Sequence, residues 1–317
     1  MPKKFARNWW RLLKKRSKKL SQPWSVQVEL VEGCSRICDF CGINAIRSKP
    51  GDFKFMDWET AGRLVQGCSF LCPTARYEFA MHGEPLMHPN RLRMFSLFRK
   101  GLPKAQLQVT TNGVRFIRGD MQRLVERIFR HGIDFIILDT YYPERDVLRK
   151  KAFKLKNVQV LDFYDDCVPK NISPYHNHRR KLNRTIILMD DLKARDGEHL
   201  SRVVLNHAGS SPVKGIPKQP LEKTCTLPFR ELSVCYNGNV NICCMDWKHE
   251  FVAGNINDSG VKSIWYGERF ELARTFLQNK NREFDPCRRC SKNSGPRAGL
   301  LPKYGPITPS QRVDIEA

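Results

Sequence analysis

Six apolar runs rich in β-branched residues recur between Trp24 and Ala208, with helical patterns in several of the gaps between them. The runs cover 25–31, 77–80, 106–110, 134–138, 158–161 and 185–188, and the clearest helical patterns cover 57–67, 89–100 and 119–131. Asp57 with Thr60, and Asp120, supply helix start signals, while Gly67, Gly101 and Gly132 read as stops. A strand-then-helix repeat at this spacing predicts an α/β fold, a parallel sheet covered by helices. A closed barrel uses eight such units over roughly 250 residues, so six predict a partial (β/α)6 parallel barrel. An apolar fraction of 41% supports a packed core and excludes disorder as the main state.

The composition changes at 209–220, a Gly-, Ser- and Pro-rich stretch of linker type. A compact Cys-rich segment follows, with a hairpin signal at Tyr236-Asn237-Gly238-Asn239 and a helix expected over 261–279. The chain therefore divides into a basic extension (1–21), the partial barrel (22–208), a linker (209–220), a small Cys-rich auxiliary domain (221–295) and a Pro/Gly-rich tail (296–317). No run approaches the ~20 apolar residues of a membrane span. The basic start lacks the apolar stretch of a secretory leader, so a cytoplasmic location is expected.

Without a secretory leader, twelve cysteines point to metal ligands or redox groups rather than structural disulfides. Cys34, Cys38 and Cys41 fall within eight residues directly after the first strand. Zinc in a structural site takes four protein ligands, and no fourth Cys or His stands nearby. An iron–sulfur cube held by three thiolates instead leaves one iron open to a ligand. Near the other end, Cys225, Cys243, Cys287 and Cys290 form a four-ligand set, which suits zinc and an iron–sulfur cluster equally on first principles.

The C-x3-C-x-Phe-C run, with Phe40 as the aromatic, resembles the signature of the radical S-adenosylmethionine (SAM) superfamily. Met81-His82-Gly83-Glu84-Pro85 resembles that family's Gly-Gly-Glu-Pro element, with His82 in place of the first Gly, and Thr110-Thr111-Asn112-Gly113 resembles its Thr-Asn-Gly turn. All three occur in the family's order, each at the C-terminal end of a strand, where β/α folds bind ligands. The resemblance implies that Cys34, Cys38 and Cys41 hold a [4Fe–4S] cluster whose open iron binds SAM. Reductive cleavage of SAM to a 5′-deoxyadenosyl radical would then drive hydrogen abstraction from a substrate. It further implies that Gly83, Glu84 and Pro85 border the methionine amino group, Phe40 the adenine, and Thr111 with Asn112 the cofactor's polar groups. The spacing Cys-x12-Gly-x4-Cys, then Gly254-Asn255-Ile256, Ser263-Ile264-Trp265 and the closing Cys pair, resembles the SPASM extension or its shorter form, twitch. That implies one auxiliary [4Fe–4S] cluster on Cys225, Cys243, Cys287 and Cys290. Cys68, Cys72 and Cys167 read as small buried hydrophobes, and Cys235 and Cys244 as neighbours of the ligands that could substitute for one of them.

The substrate is open at this level, and charge bears on it. Lys and Arg number 55 against 32 Asp and Glu, a net +23. Nine of these cations lie in the first twenty residues, where Phe5, Trp9, Leu12, Leu13 and Leu20 recur at helical spacing. That segment reads either as an arm packed on the body or as a clamp on phosphates or an anionic membrane. With the Arg179-Arg180-Lys181 loop and Arg184, it favours DNA or RNA, a base or its modified side chain, as the substrate. The alternatives are maturation of an acidic peptide or protein, and dehydrogenation of a small metabolite. An external flavodoxin- or ferredoxin-like electron donor is expected in each case. A two-cluster electron carrier or iron–sulfur regulator would need neither the Gly83-Glu84-Pro85 turn nor the Thr111-Asn112-Gly113 turn.

Overall fold

The structure, a computed structural model, describes residues 22–47, 49, 51–141, 143–162, 182–189, 205–212 and 215–292. The basic extension, Cys167 and the Arg179-Arg180-Lys181 loop lie outside the described residues. In chain order the barrel segment runs β1 (Ser25–Val28), β2 (Val31–Glu32), β3 (Lys54–Phe55), α1 (Trp58–Leu71), β4 (Arg76–Phe79) and α2 (Arg91–Gly101). It continues with β5 (Gln106–Thr111), α3 (Val114–Arg118), α4 (Met121–Arg130), β6 (Phe135–Asp139), α5 (Arg145–Ala152), β7 (Gln159–Asp162) and β8 (Thr185–Met189). The Cys-rich segment adds β9 (Glu231–Val234), β10 (Asn239–Asn241), β11 (Val252–Asn255), α6 (Val261–Trp265) and α7 (Glu268–Gln278).

All six predicted strands form one mostly parallel sheet, in the order β11-β10-β9-β1-β4-β5-β6-β8-β7. The sixth strand thus lies between the fourth and the fifth. Its run Thr-Ile-Ile-Leu-Met is buried throughout, whereas β7 exposes Gln159 and half-buries the next two residues, which suits an edge. The Cys-rich segment continues this sheet, because β9 pairs in parallel with β1, Val28 beside Val234. The Tyr236–Asn239 hairpin signal is realised by antiparallel β9 and β10.

Alternate strand residues give the sheet two characters. Val26, Val28, Tyr77, Phe79, Leu107 and Val109 join the main core under the helices, with Phe79 packed edge-on against Phe98 at 4.9 Å. On the other face of β9, β1, β4 and β5 the buried residues are polar and bonded to one another. Gln27 Nε2 donates to Glu78 Oε2 at 3.0 Å, and Thr110 Oγ1 to Glu78 Oε1 at 3.0 Å.

Three expectations need correction. The first run splits: the chain turns after Val28, and β2 leaves the large sheet to pair with β3. Gly67 does not end α1, which continues to Leu71; it is the point where α6 presses closest, since a Cβ there would lie 2.4 Å from Val261 Cγ2. The helix expected over 261–279 breaks into α6 and α7 around Gly267, which takes extended backbone where a Cβ would meet the Ser263 carbonyl at 2.8 Å.

Candidate active site

The loops at the C-terminal ends of β2, β4, β5 and β6 enclose a cavity of about 340 Å³. Cys34, Cys38 and Cys41 line one wall, and Phe40, Gly83, Glu84, Thr111 and Asn112 line it as well. Pro85 does not reach it; that residue opens a short 3-10 turn behind Glu84.

Gly33 and Gly83 fix the relation between the cysteine loop and the Gly83-Glu84 turn. The Gly33 N–H donates to the His82 carbonyl at 3.3 Å, and the Glu84 N–H donates to the Gly33 carbonyl at 2.9 Å. A Cβ on Gly83 would stand 2.1 Å from the Val31 carbonyl oxygen, so only glycine permits this approach. Glu84 is buried, and its carboxylate accepts from Leu86 N at 3.0 Å, Thr111 Oγ1 at 2.8 Å and Asn112 N at 2.8 Å. Burial raises its pKa against the opposing pull of those donors. The Thr111-Asn112-Gly113 turn is thereby tied to the Gly83-Glu84 turn, with Gly113 left-handed at φ 72°.

The three thiols have donors aimed at them. Asn112 Nδ2 lies 3.2 Å from Cys34 Sγ, and the Arg36 N–H lies 3.3 Å from the same sulfur. Arg47 Nη1 donates to the Cys34 carbonyl at 3.1 Å, and Arg36 pairs with Glu144 at 2.8 Å while lying over the Tyr141 ring. Burial pushes the Cys34 and Cys38 thiols up to about 11, with Arg36 pulling Cys38 the other way. Bound metal would deprotonate such thiols outright. Three thiols on a cavity wall, with N–H groups directed at sulfur, suit an iron–sulfur cube that keeps one open iron.

Beside the cysteine loop, where a Cβ on Gly42 would lie 3.0 Å from Trp247 Cδ2 and 3.1 Å from His207 Nδ1, are residues that no spacing in the sequence marks. His207 and Trp247 line the cavity and stack at 4.8 Å, and neither His207 Nδ1 nor Trp247 Nε1 has a hydrogen-bond partner among the described residues. Burial, with the His82 imidazole nearby, holds the His207 pKa down at about 4, so the ring is neutral at physiological pH. His207 and Ala208 both have positive φ, 44° and 52°. Backbone in that region costs energy for residues with a Cβ and is held here by the surrounding bonds. Asn206 donates to the Arg289 carbonyl at 2.5 Å and accepts from Ser291 N at 2.8 Å, and Ser211 Oγ donates to the Phe40 carbonyl at 2.7 Å. One loop therefore bridges the two cysteine groups. Asp139, the last residue of β6, and Tyr141 just beyond it are also at the wall and were legible in principle as residues at a strand's C-terminal end.

The second group comes together as well. Cys225, Cys243, Cys287 and Cys290 are all buried. Burial, then the neighbouring thiols Cys244, Cys287, Cys290 and Cys225, pushes the Cys243 thiol well up, and Cys287 is raised by burial with Cys225 and Cys290. Four buried thiols at one place suit a fully ligated cluster, as they would suit zinc. Cys244 bonds instead to Glu231, and Cys235 faces His249 at 3.5 Å. Cys68 and Cys72 lie in the core, with Cys72 Sγ 3.4 Å from Tyr77 Oη.

Residues 28–188 match the family model described as the radical SAM superfamily, and residues 225–291 match the SPASM iron–sulfur cluster-binding domain. The chain is 24% identical over 271 residues to the S-adenosyl-L-methionine-dependent 2-deoxy-scyllo-inosamine dehydrogenase of Niallia circulans, covering 85% of this chain and 93% of the other. Among solved structures, BtrN in complex with AdoMet and 2-DOIA has a similar fold, with a TM-score of 0.64, 22% identity and the same coverage. BtrN in an open conformation gives a TM-score of 0.56 and 19% identity, over 85% of this chain and 92% of the other.

Proposed function

The chain belongs to the radical SAM superfamily, and from that premise we propose that it oxidises a hydroxyl-bearing carbon of a small polar metabolite, of the amino-cyclitol class, to a ketone. Its cofactors are SAM and two [4Fe–4S] clusters. Cys34, Cys38 and Cys41 hold the cluster that binds SAM, and Cys225, Cys243, Cys287 and Cys290 hold the other. Bound there, these groups supply a carbon radical that takes a hydrogen atom from the substrate, and an acceptor for the electron left behind. The chain itself then has one remaining task, removal of the hydroxyl proton.

His207 carries this reading. It is neutral, lines the cavity beside the cysteine loop and sits on the loop that joins the two cysteine groups. A neutral imidazole on the cavity wall accepts a proton through a ring nitrogen. Arg36, Asp139 and Tyr141 complete a polar rim suited to a ligand carrying several hydroxyl or amino groups. The dehydrogenase relative, which covers nearly all of both chains, supports a small alcohol as substrate. Nothing among the described residues favours a polynucleotide.

The test is anaerobic. The reconstituted, reduced protein is given SAM with amino-cyclitols, oligonucleotides or peptides, and 5′-deoxyadenosine is quantified. Stimulation by the amino-cyclitols is the expected result. Stimulation confined to oligonucleotides or peptides would overturn the assignment.

A further inference from the structure

Behind the cavity wall lies a second cluster of donors that neither set of cysteines uses. One imidazole nitrogen of His82, the thiol of Cys235 and one imidazole nitrogen of His249 lie within 4.8 Å of one another. They come from three places: the turn after β4, the end of β9, and the loop before β11. His82 is fully buried, and neither of its ring nitrogens has a hydrogen-bond partner among the described residues. Its Nδ1 stands 2.7 Å from Glu29 Oε1, also fully buried, yet outside hydrogen-bond geometry. Buried polar groups left in that state cost a protein free energy unless something else satisfies them.

His249 shows which atoms are presented. Its Nε2 lies 2.9 Å from Glu32 Oε2, which fixes the proton on Nε2 and leaves a lone pair on Nδ1. A carboxylate holding the far nitrogen is the usual way proteins orient a metal-ligating histidine. Nδ1 then faces Cys235 Sγ at 3.5 Å. That separation is close to a tetrahedron edge about zinc, about 3.5 Å for Zn–S near 2.3 Å and Zn–N near 2.0 Å. Asn241 Nδ2 also reaches Nδ1, at 3.0 Å, and is the group an incoming ion displaces. Glu29, Glu32 and Asp246 surround the His249 ring, so the site favours positive charge.

We propose that His82, Cys235 and His249, beside the buried Glu29 carboxylate, form a three-residue binding site for a borderline-soft divalent ion of the zinc type. Two imidazoles and one thiolate suit that class over magnesium or calcium, which take oxygen ligands. The ion would neutralise the Cys235 thiolate and Glu29 together. Its place is structural: it fastens the β9–β10 hairpin to β1 and to the turn that presents Gly83 and Glu84 to the cavity. His82, which departs from the family's glycine, is the ligand that makes this connection. The proposal is independent of the substrate assigned above.

The experiment uses the cluster-loaded protein incubated with zinc and desalted, with metal analysis and zinc K-edge X-ray absorption. The expected result is near-stoichiometric zinc bound by a single sulfur, the other scatterers being nitrogen or oxygen. Glu32→Gln, which within the site reaches only the far nitrogen of His249 and otherwise pairs with Lys54, should weaken zinc affinity about 10–100-fold, as loss of such a supporting carboxylate does elsewhere. Cys235→Ser should remove the sulfur scatterer; if that variant does not fold, Glu32→Gln with the wild-type spectrum decides alone. Negligible zinc retention, zinc bound by three or four sulfurs in a cluster site, or affinity unchanged in Glu32→Gln would each overturn the proposal.

Discussion

Glu84 is held by three donors from two loops before any ligand is considered. Glu84→Gln places an amide NH2 against either Asn112 N or Thr111 Oγ1, leaving buried donors unpaired at a cost of about 1–3 kcal/mol each. It should lower both the melting temperature and the affinity for SAM, read by calorimetry and equilibrium dialysis; unchanged values would show that the turn holds without this carboxylate. His207 makes a prediction about pH. Burial holds its pKa down at about 4, so it keeps a free lone pair well below the ordinary value of 6.5. Substrate-dependent product formation should therefore lose no activity to His207 protonation between pH 7 and about pH 5. An acidic limb centred near 6.5 that vanishes in His207→Gln would contradict the assigned environment. His207→Gln should itself slow product formation about 10²–10⁴-fold, the range for loss of a general base. The Cys34, Cys38 and Cys41 run and the Gly83-Glu84 turn were visible in the sequence because their chemistry depends on short spacing. His207 and Trp247 were not, since the fold brings each in from a loop with no repeating pattern.

At the scale of elements, α1 offers a controlled pair of glycines. Gly62 and Gly67 share the helix, but a Cβ meets nothing within 4 Å at the first and Val261 at 2.4 Å at the second. Gly62→Ala should stabilise by about 0.5–1 kcal/mol through the unfolded chain. Gly67→Ala should destabilise by about 1–3 kcal/mol, because overpacking against α6 exceeds the gain in helix propensity. Denaturant unfolding of the two variants measures the contrast, and an equal response would mean that the α1–α6 contact is loose. Helix starts were legible: Asp57 accepts from Thr60 N at 2.7 Å and Asp120 from Arg123 N at 3.0 Å. The end of α1 was not, because Gly67 answers to a helix nearly two hundred positions away rather than to its own neighbours. Nor was the exchange of β7 and β8 in the sheet, although the exposure of Gln159 against the fully buried β8 gives its physical reason.

Across the whole molecule, the sheet runs without a break from the β9–β11 hairpins into the barrel, and the 206–211 loop ties the two cysteine groups together. The fold class and both cysteine sets were legible from strand spacing and motif order. The significance of the +23 charge was not, because a count ignores where cations point. Arg99 binds four backbone carbonyls and Asp134, Lys151 three carbonyls around the end of α3, and the buried Arg274 lies over the rings of Trp265 and Phe270. Such groups serve the fold rather than a polyanion. No helix among the described residues is long and apolar enough to cross a membrane. A paired substitution, Cys287→Ala with Cys290→Ala, should halve the iron content yet leave SAM cleavage measurable, with the ketone lost; full turnover after loss of that iron would assign the second cluster no part in oxidation. The most direct measurement is isotope tracing with an amino-cyclitol carrying deuterium on its hydroxyl-bearing carbons, incubated anaerobically with the reduced protein and SAM. The expected result is deuterium in 5′-deoxyadenosine together with an equimolar amount of ketone. 5′-Deoxyadenosine formed without deuterium, and without ketone, would contradict the assignment.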